Sequence, residues 1–264
     1  MKPTLLPALC LLAACGGADQ VAEKPPVERL SYPPVHKDSL AGDTLHGSFV
    51  ADPYRWLETE TKTWVGEQNA VTNAYLEKIP FRDAIAKRYE ELYNFPKLGG
   101  PMRVGELYFL WKNSGLQNQF VINVRKGLEG EDRVFIDPNA IDPAGTTTFS
   151  PLGTSKDDRY MAVGVSKAGS DWQDITVYDL TTLQQTPDLL KWCKFSGASW
   201  YKNGFFYSRY PEPAKGTELS AASKFQKVYY HKLGDPQEKD ALVWEDRKNG
   251  DLYVGLGVTE DEEF

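Results

Sequence analysis

At 264 residues, with 41% hydrophobic and 25% charged side chains, the chain can bury a sizeable core and hold one large or two ordinary domains. Thirty basic against 37 acidic residues give a formal net charge of −7. No run of Lys or Arg supplies a clustered basic surface, which excludes a nucleic-acid partner.

Lys2 and the apolar run Leu5 to Ala14 have the basic start and short apolar core of a secretory signal. The run falls short of the roughly 20 apolar residues that span a bilayer. Leu12-Ala13-Ala14-Cys15 resembles the bacterial lipoprotein processing box, in which the cysteine becomes the lipidated N-terminus. The plainer alternative is an ordinary secretory signal with a chance cysteine; the two small residues directly before Cys15 favour lipidation. That implies residues 1–14 as signal peptide, a membrane anchor at Cys15 and a place in the bacterial cell envelope, facing the periplasm. Lipoproteins of this type carry more than one acyl chain, and two or more chains anchor stably. Residues 15–34, with Pro25-Pro26 and Pro33-Pro34 and no apolar period, read as an extended tether.

Residues 35–100 read as a helical segment. Asp52 is placed to cap a first turn and Pro53 to occupy its first position. Trp64, Gln68, Val71 and Tyr75 then recur at helical spacing, and Phe81, Ile85, Tyr89 and Leu92 form a second such face. Asn94-Phe95-Pro96 and Gly99-Gly100-Pro101 end it. His36 and His46 fall in the loop leading to the first helix.

From residue 101 to 264 the texture is short β runs. Leu107–Trp111, Phe120–Val124, Tyr160–Val165, Ile175–Tyr178, Phe205–Tyr207 and Val228–Tyr230 are rich in aromatic and β-branched residues, with turn residues between them. A polar turn leading into an aromatic recurs at Ser155–Tyr160, Tyr201–Phe205 and Thr259–Phe264, at spacings of 46 and 58 residues. Repetition every 40–50 residues or so marks propeller blades, and an aligned β-sandwich would not repeat the same turn at that spacing. The expected fold is mainly β: an incomplete β-propeller of about three blades behind an N-terminal helical segment. An open arc exposes strand edges, so poor solubility or association is expected of these residues alone.

Catalytic chemistry is sparse. A Gly-x-Ser-x-Gly nucleophile elbow is absent, and Gly197-Ala198-Ser199-Trp200-Tyr201 has only its first half, in a strand context. No histidine is spaced for a metal, no glycine-rich loop cradles a phosphate, and Asp157-Asp158 and Asp261-Glu262-Glu263 lack the glycine of a calcium loop. Neither a cofactor nor a metal is implied. Cys193 reads as a small buried hydrophobe.

Asp52-Pro53-Tyr54-Arg55-Trp56-Leu57-Glu58, Lys194-Phe195-Ser196-Gly197-Ala198-Ser199-Trp200 and Gly204-Phe205-Phe206-Tyr207-Ser208-Arg209-Tyr210-Pro211 resemble the N-terminal part of the prolyl oligopeptidase family of serine peptidases. The likeness runs from about Tyr32 to Phe264. It implies three blades of a seven-bladed propeller that restricts entry to short proline-containing peptides. It also implies a helical segment that packs on an α/β-hydrolase domain. In that family Ser, Asp and His all lie later in the chain, so no catalytic residue is expected in this one. The simplest account of its end is a truncated gene product or an incomplete sequence, inactive alone. By the same resemblance Phe195 contributes to an apolar pocket near the active site, with Tyr253, in Tyr253-Val254-Gly255, as a second contributor; for both, core packing is the competing role. Two other readings stay open: a relative that cleaves after basic residues, and a non-catalytic lipid-anchored propeller that binds a peptide or partner.

Overall fold

The computed structural model describes residues 29–59 and 61–263, which form two compact units dividing after Lys87. Cys15, the signal-like run and most of the tether lie outside the described residues. Among the described residues no helix is long and apolar enough to cross a bilayer.

In the first unit the segment holding His46 is a hairpin rather than a plain loop. Strands β1 (Gly42–Leu45) and β2 (Ser48–Ala51) pair antiparallel. His46 and Gly47 turn the chain with φ of 52° and 83°, as a tight two-residue hairpin turn requires. Asp52 and Pro53 do not open an α-helix. The Asp52 carbonyl accepts from the Arg55 N–H at 3.2 Å, and a single 3-10 turn, Arg55–Glu58, follows. The Arg55 guanidinium binds the Asp52 carboxylate at 3.2 Å and that of Asp43 at 2.5 Å. Asp52 is thus an ion-pair partner, and the first helix, α1 (Thr61–Leu76), begins nine residues later. Pro80 disfavours helical backbone at Ile79 and separates α1 from α2 (Arg82–Tyr93), the helix within which the division between the units falls. The apolar stripe of Phe81, Ile85, Tyr89 and Leu92 is present and solvent-exposed.

Among the described residues the second unit holds three antiparallel sheets in succession. The first contains β3 (Lys97–Leu98), β4 (Met102–Val104), β5 (Leu107–Asn113), β6 (Val121–Lys126) and β7 (Arg133–Ile136), with β3 and β4 both along β5. A one-turn helix, α3 (Pro138–Ile141), leads to the second: β8 (Thr147–Thr154), β9 (Tyr160–Lys167), β10 (Gln173–Asp179) and β11 (Gln184–Cys193). The third contains β12 (Ser199–Tyr201), β13 (Gly204–Arg209), β14 (Lys227–Lys232) and β15 (Ala241–Glu245). In the second and third sheets strands pair in chain order from one edge to the other, as in propeller blades.

Two cores fill the seams, and strand alternation assigns side chains to them. Met161 and Val163 of β9 join Phe109, Ile122 and Val124 of the first sheet. Ala162 between them turns to the other seam, with Ile175 and Val177 of β10 and Phe205 and Tyr207 of β13. The second sheet is therefore covered on both faces, which explains the near-continuous apolar run of β9 and the burial of successive residues Ile175 to Tyr178 in β10. At Gly153 a Cβ would collide with the Ala198 carbonyl oxygen, so glycine lets β8 approach the third sheet.

The recurring turn has a repeated geometry. Ser155 Oγ and Thr259 Oγ1 each donate to the carboxylate two residues on, Asp157 and Asp261, at 2.6 Å. Those carboxylates accept from the N–H groups of Arg159 and Glu263 at 3.2 Å. Asp158 and Glu262 both sit at φ 58°. The turn at Lys202, φ 50°, occupies the same place between first and second strands with different side chains.

Candidate functional site

The connector from β11 to β12 carries Phe195. Its backbone is left-handed, φ 52°, and its ring is 56% exposed. A bulky residue held there costs on the order of 1–3 kcal/mol and needs surrounding contacts to hold it. Those contacts flank it on both sides. The Lys194 carbonyl accepts from Gln226 Nε2 at 3.3 Å. The Ser196 carbonyl accepts from Gln173 Nε2 at 2.8 Å, and Ser196 Oγ accepts from the Ser208 N–H at 2.8 Å. With its neighbours fixed and its ring in solvent, Phe195 is presented rather than packed into the core.

Tyr253, on the segment after β15, meets it. The rings stand edge to face, centroids 6.2 Å apart, and the Tyr253 hydroxyl donates to the Phe195 carbonyl at 2.6 Å. Tyr253 is 60% exposed. The structure thus brings together the two side chains singled out in the sequence, which lie 58 residues apart.

A second aromatic cluster, without a sequence motif, lies beside Lys194. Trp172, in the connector leading into β10, packs edge-on against Trp192 at 5.6 Å and Tyr210 at 6.3 Å. The Lys194 ammonium lies 4.1 Å above the Trp172 ring. Tyr210 is buried, and its hydroxyl pKa is raised, first by that burial and then by the Tyr253 hydroxyl. A cavity of about 440 Å³ opens beside Trp172 and Trp192, with Asp174 and Lys191 in its lining. Burial pushes the Asp174 carboxyl up, against the opposing pull of Lys167 and Lys191. In the sequence these aromatics are indistinguishable from cross-strand packing, because strand ends and connectors carry no period.

Hydrolytic groups do not assemble here. Ser199 lies in β12 and donates to the Leu256 carbonyl at 2.7 Å, as a structural serine does. The Cys193 thiol is buried and its pKa is driven far upward by desolvation.

His231 of β14 is fully buried between two carboxylates. Nδ1 is 2.8 Å from Asp240 Oδ1 and Nε2 is 2.9 Å from Asp188 Oδ1. Two carboxylate acceptors require both ring nitrogens to carry hydrogen, so the ring is an imidazolium with no nitrogen left for a serine. Burial alone would lower its pKa; the hydrogen bonds to Asp188 and Asp240, and their charges, raise it to about 9. Asp188 is pushed up by burial but held at about 2 by hydrogen bonds from His231, Thr186 and Gly234. Tyr207 donates to Asp240 at 2.7 Å and receives Gln237 Nε2 at 3.1 Å. Gln237 then bonds both the N–H and the carbonyl of Lys191, four residues before Phe195. This network ties the end of β11 to the third sheet.

Blade-like sheets in succession and a repeated turn define a β-propeller module. Residues 33–264 match the family model for the prolyl oligopeptidase N-terminal β-propeller domain, and the chain belongs to the prolyl oligopeptidase family. It is 40% identical over 240 residues to the prolyl endopeptidase of Elizabethkingia meningoseptica, covering 89% of this chain and 34% of that protein. It is 31% identical over 273 residues to prolyl oligopeptidase A of Galerina marginata, covering 91% and 36%. Among solved structures, prolyl oligopeptidase B of Galerina marginata, bound to a 35-residue hydrolysis and macrocyclization substrate, superposes with a TM-score of 0.75 at 26% identity. That match covers 88% of this chain and 36% of the other. The chain spans about a third of the length of the curated relatives it matches. Its three sheets are blades of the family's propeller, present in part.

Proposed function

We propose that these residues are the propeller portion of a serine peptidase that cleaves short peptides after proline, with Phe195 and Tyr253 as an apolar wall for the substrate. The exposed Phe195 ring, held on a left-handed backbone between anchored neighbours, carries this reading, because nothing in the core requires it there. In this reading nucleophile, acid and base lie outside these 264 residues. The exposed α2 stripe packs on the hydrolase domain, and the propeller limits entry to small peptides. The prolyl specificity of the named relatives favours this activity over cleavage after basic residues.

The test is turnover of a Gly-Pro chromogenic substrate by the complete gene product, blocked by a serine-directed fluorophosphonate. Residues 16–264 expressed alone should show no turnover and no label. A complete product that never cleaves, yet binds proline peptides, would favour the non-catalytic module.

We also propose lipidation at Cys15, on the strength of the Leu-Ala-Ala-Cys box after a short apolar run. Cys15→Ala should abolish incorporation of labelled palmitate and release the protein from the membrane fraction. A soluble wild type that starts beyond Cys15 would refute the anchor.

A further inference from the structure

Gln226 links the two halves of the aromatic wall. It stands at the entry to β14 and is 2% exposed. Both ends of its amide are used: Oε1 accepts from the Val254 N–H at 2.8 Å, and Nε2 donates to the Lys194 carbonyl at 3.3 Å. Those backbone groups belong to the immediate neighbours of Tyr253 and Phe195. A planar amide with one acceptor and fixed donors sets the spacing of two backbones much as a rung sets it in a sheet. The wall is thus tied in front by the Tyr253 hydroxyl on the Phe195 carbonyl, and behind by Gln226. The surroundings reinforce the rear tie. The Phe225 N–H donates to the Gly250 carbonyl at 2.8 Å, and Ser208 Oγ donates to the Val254 carbonyl at 3.1 Å. A buried amide that loses one partner leaves a desolvated polar group behind, so the tie works as a unit.

We propose that Gln226 is the positioning residue of the Phe195–Tyr253 wall: it holds the Lys194–Ser196 and Tyr253–Val254 segments in one register, so that the two rings act as a single rigid surface. The inference rests on the reading of that wall as a substrate surface. Gln226 touches no substrate; it acts through the two backbones it joins.

Two variants of the complete gene product test it. Gln226→Leu removes both bonds, while Gln226→Glu keeps the size and the acceptor for Val254 but loses the donor to Lys194. The readouts are hydrogen exchange over residues 192–197 and 250–258, and KM and kcat for two prolyl peptides, one with Phe and one with Gly two positions before the proline. In Gln226→Leu, exchange in both segments should rise about tenfold while β13 keeps wild-type protection. KM for the Phe peptide should rise about tenfold, with KM for the Gly peptide and both kcat values within about twofold of wild type. Gln226→Glu should loosen 192–197 more than 250–258, and it carries the test if the Leu variant does not fold. Wild-type exchange in both segments of both variants overturns the proposal. Faster exchange with an unchanged ratio of the two KM values sustains Gln226 as the tie and places the failure on the wall as a substrate surface.

Discussion

The Tyr253 hydroxyl donates to the carbonyl oxygen of Phe195 at 2.6 Å, and the two rings meet edge to face 6.2 Å apart. One bond therefore orders both partners of the wall: it holds the Tyr253 ring and steadies the left-handed peptide that presents Phe195. Tyr253→Phe keeps the ring contact and removes the bond. The net loss of one such hydrogen bond is about 1 kcal/mol. A two- to tenfold rise in KM for substrates that reach the wall is expected, with little change in melting temperature because Tyr253 is exposed. A large drop in melting temperature with unchanged KM would show that the bond serves the fold instead.

The buried imidazolium makes stability depend on pH in a defined window. His231 binds its proton more tightly folded, at about 9, than unfolded, at about 6.5. Its contribution is complete below the unfolded value and is lost as pH rises through 9. The shift corresponds to on the order of 3 kcal/mol. Asp188, held at about 2, works in the opposite sense: its contribution is present above the unfolded carboxylate range and fades as pH falls toward 2. Thermal melts from pH 6 to 10 should show a falling midpoint above pH 7 in the wild type. His231→Gln should be less stable at pH 6 and flatten that slope. An equal slope in the variant would assign the alkaline loss to other groups.

Of the strands, the six runs legible in the sequence, β5, β6, β9, β10, β13 and β14, are the interior strands of the three sheets. Interior strands are covered by neighbours and read as aromatic and β-branched runs. The edges escaped for the same reason in reverse. Pro151 and Gly153 interrupt β8, Pro187 lies in β11, and β15 is mostly exposed, all features that edges tolerate. The Asp52-Pro53 capping expectation failed because a strong cap signal cannot reveal that Arg55 competes for the carboxylate. Phe195 and Tyr253 were legible through the family resemblance alone. Trp172, Tyr210 and Gln226 were not, since a connector aromatic or a buried amide acquires its role from partners remote in sequence.

Damage in the seam between the second and third sheets should cost more than damage on the outer edge strand. Phe205 is fully buried there, against Trp200, Tyr207 and His231. Phe205→Ala should destabilise by about 3–5 kcal/mol in denaturant unfolding. Leu242→Ala, on the exposed edge strand β15, should cost under about 1 kcal/mol. Similar losses at both positions would mean that β15 is covered in the working protein.

The measurement closest to the central claim is the substrate discrimination of Phe195→Ala in the complete gene product. Prolyl peptides with Phe or Gly two positions before the proline are compared by KM and kcat. KM for the Phe peptide should rise about tenfold, close to 1.4 kcal/mol of lost contact, while the Gly peptide and the melting temperature change little. An unchanged KM ratio together with a large loss of stability would contradict that claim, and would make Phe195 a packing residue of the propeller.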